Sequence, residues 1–209
     1  MIEIFEIPKN LSADIIKFYK RQPCYQLASL EEQRNELRRH VGVYILFYRG
    51  KYRLYKHIAE INYEDCNLAI YVGKEVESGR RTGAMRTNTQ SLFSRLREHS
   101  RSIEQSDGLS IKEFSFKVIA MGRDLITWGE ATMIRHFQPT WNQLIDGFGI
   151  HDPGKGRYQQ RRSVWDILHP GREFTNRLPN LSEVNMEDIE EKIKSSCERF
   201  LSLSPGTEE

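Results

Sequence analysis

Cysteine is scarce in this chain. Cys24, Cys66 and Cys197 lie far apart, odd in number and without a CxxC pair, so neither a disulfide framework nor a zinc knuckle is indicated and all three read as reduced thiols. Long apolar runs are missing as well. Nothing approaches the roughly 20 residues that a membrane-crossing helix needs, and the opening MIEIFEIPKN has no basic stretch leading into an apolar one. A cytoplasmic protein with no membrane partner is expected. Nor is there an excess of one charge sign: 31 basic residues nearly cancel 29 acidic ones, so whole-chain charge selects no partner. No internal repeat or long low-complexity tract occurs.

Charge is instead unevenly distributed. Residues 74–101 carry seven Lys/Arg against three acidic residues, and residues 147–172 five against two; both stretches are candidate phosphate-facing surfaces. From residue 173 onward nine acidic residues oppose four basic ones, a tail that nucleic acid would repel unless it faces away. At 209 residues one well-cored domain with extensions is expected: a helical extension over 1–40, a core over 41–146, and a segment over 147–209 that ends in a helix.

Periodicity places the elements. Ser12 reads as the cap of a short amphipathic helix with Ile15, Ile16 and Tyr19 on its apolar side, and a charged helix is expected over 29–39. Val41 to Tyr48 is rich in β-branched and aromatic residues and reads as a strand closed by Arg49-Gly50-Lys51, with 52–56 returning as its hairpin partner. Further strands are expected over 68–72 and 114–120. Residues 77–90, with two glycines, three arginines and no hydrophobic period, read as an exposed loop. Ser91 caps a helix, Asp124 starts another that Pro139 stops, and Asn185 caps an acidic one. The aromatic and basic stretch 147–171 reads as a surface segment rather than core. The class is therefore α+β.

Two helices place polar groups on core-facing positions. Leu92, Arg95, Leu96 and His99 fall at i, i+3, i+4 and i+7, so an arginine and a histidine share the face of the leucines. The bland explanation is a snorkelling arginine and a satisfied boundary histidine. In the second helix Glu130 interrupts the stripe Ile126, Met133, Ile134 and Phe137. A carboxylate there is costly unless a cation meets it, and Arg95 or a bound metal ion could be that cation. Periodicity does not choose between them. No second acidic residue lies near at helical spacing, so a metal would be held by one carboxylate together with substrate oxygens and water, as Mg²⁺ commonly is. Tyr44 and Tyr71 each sit in a strand beside a glycine; singly, such tyrosines are ordinary sheet residues.

The ordered set resembles the GIY-YIG nuclease superfamily. Its two name-giving half-motifs are matched by Gly42-Val43-Tyr44 and Tyr71-Val72-Gly73, and the match continues through Arg95, His99, Glu130 and Asn142 over about residues 40–145. The downstream run 147–172 resembles the C-terminal segment of the type II restriction branch that cuts GC-rich palindromes such as CCGCGG. One departure is that 26 residues separate Tyr44 from Tyr71, so an insertion between the first two strands is assumed.

The resemblance implies a small, mainly antiparallel three-stranded sheet flanked by helices, in a bacterial enzyme that hydrolyses double-stranded DNA. It implies Mg²⁺, for which Mn²⁺ substitutes, held by Glu130. Arg95 would neutralise the phosphate, Tyr71 would orient it, and Asn142 would position a water or a strand. Tyr44 would act as general base, either with its pKa lowered by cations or by passing its proton to His99, because a free phenol titrates near pH ~10 and ionising it at pH 7 costs about 4 kcal/mol. Lys74, Arg80, Arg81, Arg86, Lys155, Arg157, Arg161 and Arg162 are the candidate DNA contacts. A palindromic site implies a homodimer, and the branch implies a cognate DNA methyltransferase in the same cell. Two other readings remain open: a structure-specific repair or homing nuclease with the same core, and a DNA-binding module that keeps the fold without chemistry.

Overall fold

The computed structural model describes residues 9–76, 91–150, 152, 154, 158–179 and 184–203. Its organising element is the strand Gly42–Tyr48, all seven residues of which are buried. Val43, Ile45 and Phe47 point to one side and Tyr44, Leu46 and Tyr48 to the other, each set into its own apolar cluster. A strand covered on both faces reads as a continuous apolar run, which is how this one reads. Taking strands in chain order, β1 is Tyr25–Gln26, β2 Gly42–Tyr48, β3 Ala69–Glu75 and β4 Phe114–Ala120; the order across the sheet is β1-β4-β2-β3 and every pairing is antiparallel. The expected three strands are thus joined by a fourth, two residues long, at the β4 edge.

Among the described residues the helices are α1 Lys9–Lys20, α2 Arg34–Leu37, α3 Lys56–Ile61, α4 Leu92–Glu104, α5 Arg123–Phe137, α6 Thr140–Gln143, α7 Val164–Leu168 and α8 Met186–Leu203. On one side of the sheet α1 and α5 contribute Ile15, Tyr19, Ile126, Met133 and Phe137 to the core. On the other side Leu92, Leu96 and Ile103 of α4 pack with Trp141, Phe148 and Trp165. Each such side chain contributes about 1.5–3 kcal/mol by leaving water, so both layers are firmly attached. Ser91 and Ser94 form a reciprocal cap that fixes the start of α4. Asn185 accepts from the backbone amides of Glu187 and Asp188 and caps α8.

Several local expectations are corrected. Residues 52–56 do not return as a hairpin. Leu54, Tyr55 and Ile58 are buried at near-helical spacing in a 3₁₀ turn over Arg53–Tyr55 and in α3, and both edges of β2 are already taken by β3 and β4. This helical turn occupies the insertion between the two motif tyrosines. Residues 29–39 are not one helix: a 3₁₀ segment, Leu27–Gln33, precedes the single turn α2. Ser12 lies inside α1 instead of capping it. Cys24 and Cys66, expected as free thiols, are placed as a disulfide with Cα atoms 6.6 Å apart; Cys197 is free and buried. The expected loop over 77–90 lies outside the described residues.

The largest correction concerns 147–171. Part of it is core, not surface: Phe148, Trp165, Asp166 and His169 are each at most 1% exposed and Leu168 is buried as well, whereas Ile150, Asp152 and residues 159–161 are exposed as expected. Its aromatics pack against Trp141, which follows α5, Trp165 edge to face at 5.6 Å and Phe148 tilted at 4.5 Å. Its buried carboxylate, Asp166, is compatible with that position because it is paired with Arg172.

Candidate active site

The two half-motifs meet across one rung of the sheet. Tyr44 pairs with Gly73 in the β2–β3 register, and a Cβ built on Gly73 would overlap the Tyr44 Oη. The glycine is there so that the phenol can lean over β3. Gly42 has φ +151°, and a side chain on it would strike the Ile119 carbonyl of β4. Gly73→Ala is therefore expected to displace the phenol at a cost of about 1–3 kcal/mol, lowering Tm by roughly 2–12 °C for a chain of this size. A thermal melt measures this, and an unchanged Tm would show that the phenol is not confined by β3.

Leaning over Gly73 brings the fully buried Tyr44 to α4, where its Oη lies 2.6 Å from His99 Nε2. Tyr71, on the same sheet face, stands with its ring 6.2 Å from that of Tyr44 and 5.3 Å from His99. Phe148 closes the far side, stacked on His99 at 4.5 Å and 21°. Arg95, one turn before His99, donates to Glu98 at 2.9 Å and to the Gly149 carbonyl at 3.3 Å. The helical spacing that put an arginine and a histidine on the leucine face thus delivers both to the tyrosines. His99 is not a boundary residue but is buried.

Electrostatics follow from this enclosure. Burial pushes the Tyr44 phenol well above its ordinary range, neighbouring Tyr71 adds to the rise, and the Arg95 guanidinium opposes it. Tyr71 is raised by burial, pulled down by Arg95 and pushed up by the Glu130 carboxylate. Glu75 is likewise raised by burial, against Arg95. Arg95 is therefore the positive charge of this face, acting on two phenols and two carboxylates.

Glu130 approaches from the other side. Its helix, α5, packs on the opposite sheet face, and there its Oε2 accepts from Lys74 Nζ at 2.9 Å, with the two side chains 22% and 33% exposed. Lys74, expected as a phosphate contact, is thus the cation that meets Glu130, and Arg95 is not. The site wraps around the outer edge of β3, with Tyr44, Tyr71, Arg95 and His99 on one face and Glu130 and Lys74 on the other. Asn142 braces that edge, its Oδ1 accepting from the Val72 N–H at 2.8 Å and its Nδ2 donating to the Val72 carbonyl at 2.9 Å. In the structure it holds a strand.

Among the described residues no group of three or more His, Cys, Asp or Glu could hold a metal ion. Glu130 nevertheless fits a hard divalent cation. It offers a partly exposed oxygen donor, countered among the described residues by a flexible ammonium, and Mg²⁺ commonly takes one or two carboxylates and completes its shell from phosphate and water.

The candidate DNA contacts divide. Arg80, Arg81, Arg86, Lys155 and Arg157 lie outside the described residues. Arg161 is exposed. Arg162 donates to the Thr175 carbonyl at 2.9 Å and buries its Nε, so it is held within the fold. Arg38, Arg97 and Arg101 line a groove of about 350 Å³ beside the start of α4, on the side of that helix away from His99. Sequence reading missed this groove, together with Phe148, Gly149 and Glu75. All three residues fall in or beside stretches already singled out, but nothing in composition says that a Phe-Gly pair folds back onto a histidine.

No curated protein matches the chain. A family model, the Eco29kI GIY-YIG domain, matches residues 36–197, a span that includes every site residue above and reaches into α8. The chain therefore belongs to the Eco29kI GIY-YIG family, a family of type II restriction endonucleases.

Proposed function

We propose that this endonuclease is Mg²⁺-dependent and cleaves double-stranded DNA at a specific palindromic, GC-rich site, acting as a homodimer with one subunit on each strand. The observation that carries the reading is the 2.6 Å Tyr44–His99 hydrogen bond set beside Tyr71 and Arg95. A phenol joined to an imidazole, next to a guanidinium, is a means of deprotonating water against a phosphodiester.

Tyr44 does not work as a standing phenolate. Ionisation of an ordinary phenol at pH 7 already costs about 4 kcal/mol, and burial makes it costlier here. The phenol instead accepts the proton of the attacking water as it gives its own to His99 Nε2, and an imidazole with an unperturbed pKa of about 6.5 suits that receipt. Arg95 turns its planar fork from Glu98 toward the phosphate oxygens. Tyr71 donates to a phosphate oxygen and fixes the in-line approach. Glu130 would hold the Mg²⁺, which supplies Lewis-acid stabilisation of phosphate charge; Lys74 is then released from Glu130 to meet a neighbouring phosphate. The Arg38, Arg97 and Arg101 groove extends the basic surface along α4, and Arg161 with the arginines of 77–90 and 155–157 supplies base contacts. Two-fold symmetry of the site is matched by two-fold symmetry of the protein. A cognate methyltransferase protects the host DNA without binding stably to this chain.

Incubating plasmid of known sequence with the protein, with and without chelator, tests this. Discrete fragments that vanish with chelator are expected, and mapping their ends gives the site. Random nicking would favour a repair-type nuclease; no cleavage would leave a DNA-binding module.

A further inference from the structure

We propose that Arg172, far outside the motif residues, is a positioning residue for the catalytic face, acting through the turn at 147–150. The inference rests on the nuclease reading above.

Arg172 is 1% exposed, and a buried guanidinium needs its five donors answered. Asp166 answers with Oδ1, 2.7 Å from Nε and 2.6 Å from Nη2. The remaining donors go to three carbonyls of one turn: Nη2 to Gly147 at 3.0 Å, and Nη1 to Phe148 at 3.1 Å and Ile150 at 2.8 Å. The far Asp166 oxygen is held by Ser163 Oγ at 2.6 Å, and the guanidinium is sandwiched by the Trp165 and Phe174 rings at 4.7 and 4.9 Å.

What the turn carries is the reason to look beyond packing. Phe148 is the ring stacked on His99. Gly149 supplies the carbonyl that Arg95 reaches, and a Cβ on it would come within 2.6 Å of the Tyr71 Oη. One fork therefore sets the turn that touches His99, Arg95 and Tyr71 at once. An ordinary structural ion pair would need only Asp166; binding three consecutive-turn carbonyls fixes the height and tilt of the turn against the site. A misplacement of about 1 Å at a reacting group can cost on the order of 10²-fold in rate, so a turn of this kind is a rate-setting support.

Two variants separate support from mere folding. Arg172→Lys keeps the charge beside Asp166 but lacks the fork. The double variant Asp166→Leu/Arg172→Met removes both charges and with them the donors to the three carbonyls, so it melts earlier than wild type without leaving an unpaired buried charge. Three quantities are read on each: single-turnover cleavage of a duplex carrying the mapped site, Kd for that duplex in chelator, and the imidazole resonances of His99 in ¹⁵N-histidine-labelled protein. In variants that melt cooperatively, cleavage is expected to fall about 10- to 100-fold with Kd changed less than about two-fold, and the His99 resonances should move. Phe148→Leu should produce the same His99 displacement, and adding it to Arg172→Lys should cost little more, since both act through one turn. A folded variant with wild-type rate and wild-type His99 resonances overturns the proposal, as does a loss that matches only the unfolded fraction. If wild-type protein fails to cut any duplex, the nuclease reading falls, while the resonances still decide whether Arg172 sets His99.

Discussion

Tyr44→Phe is expected to slow strand cleavage about 10²- to 10⁴-fold, the range that a positioned acid–base group contributes, while leaving the fold and DNA affinity in place. Phenylalanine fills the same space over Gly73 and keeps the ring contacts with Tyr71 and His99. What is lost is one hydroxyl and its 2.6 Å hydrogen bond to His99 Nε2. Leaving a buried nitrogen without that partner costs about 1–3 kcal/mol of stability, so a modest drop in Tm accompanies the loss. The relay gives this variant a second signature. His99→Ala alone should be nearly as damaging, and the double variant should be little worse than either single one, because the two groups move one proton. The direction of the pH profile follows too. In the wild type, cleavage falls toward acid pH as the imidazole takes a proton and can no longer receive one from the phenol. An isolated phenolate base would give a profile of the same sign but with no levelling near neutrality, the rate rising on into strongly alkaline solution, since burial raises the Tyr44 pKa. Single-turnover rates across pH distinguish them, and a Tyr44→Phe enzyme cutting at the wild-type rate would remove the phenol from the reaction.

How much of this was legible in the sequence depended on whether local pattern or distant contact decided the outcome. Gly42–Tyr48 and Phe114–Ala120 were readable because β-branched and aromatic residues bury well on a pleated surface, and Leu92–Glu104 because its serine cap and leucine spacing are local signals. The shared face of Arg95 and His99 followed from helical geometry alone. Residues 52–56 failed because a short apolar run suits a strand or a turn of helix equally, and only the prior occupation of both β2 edges excludes the strand. The stretch 147–171 failed for a more instructive reason. Its glycines, arginines and histidines are what exposed loops contain, and the burial of Phe148, Trp165, Asp166 and His169 depends on contacts that only the folded chain makes. Arg172 finds Asp166 and a turn more than 20 residues back, and His169 finds Tyr55 at 2.6 Å across the sheet core. Composition records the residues but not the pairings. The same limit applied to Glu130: periodicity demanded a cation, and Lys74 supplied it, a contact set by the packing of α5 on β3.

That contact makes Glu130→Ala the other large-effect experiment. Metal-ion stabilisation of phosphoryl charge is worth several kcal/mol, and at about 1.4 kcal/mol per decade its loss is expected to lower cleavage on the order of 10³-fold or more. Stability should scarcely change, because the Lys74–Glu130 pair is partly exposed and such pairs contribute about 0–1 kcal/mol. DNA affinity measured in chelator should hold or tighten slightly, since the variant removes a negative charge from the phosphate-facing edge of β3 and frees Lys74. Glu130→Gln sharpens the reading: it keeps the side-chain shape and a single weak oxygen donor, so if the carboxylate holds an ion the variant is as inactive as alanine, with at most partial recovery at high Mg²⁺ or Mn²⁺. If instead Glu130 serves only to hold Lys74 in place, Lys74→Met would match Glu130→Ala in its effect on cleavage, and neither would respond to metal concentration. A fluorescently labelled duplex cut under single-turnover conditions across a metal titration gives all these rates, and a near-wild-type rate for Glu130→Ala would take the ion away from α5 altogether.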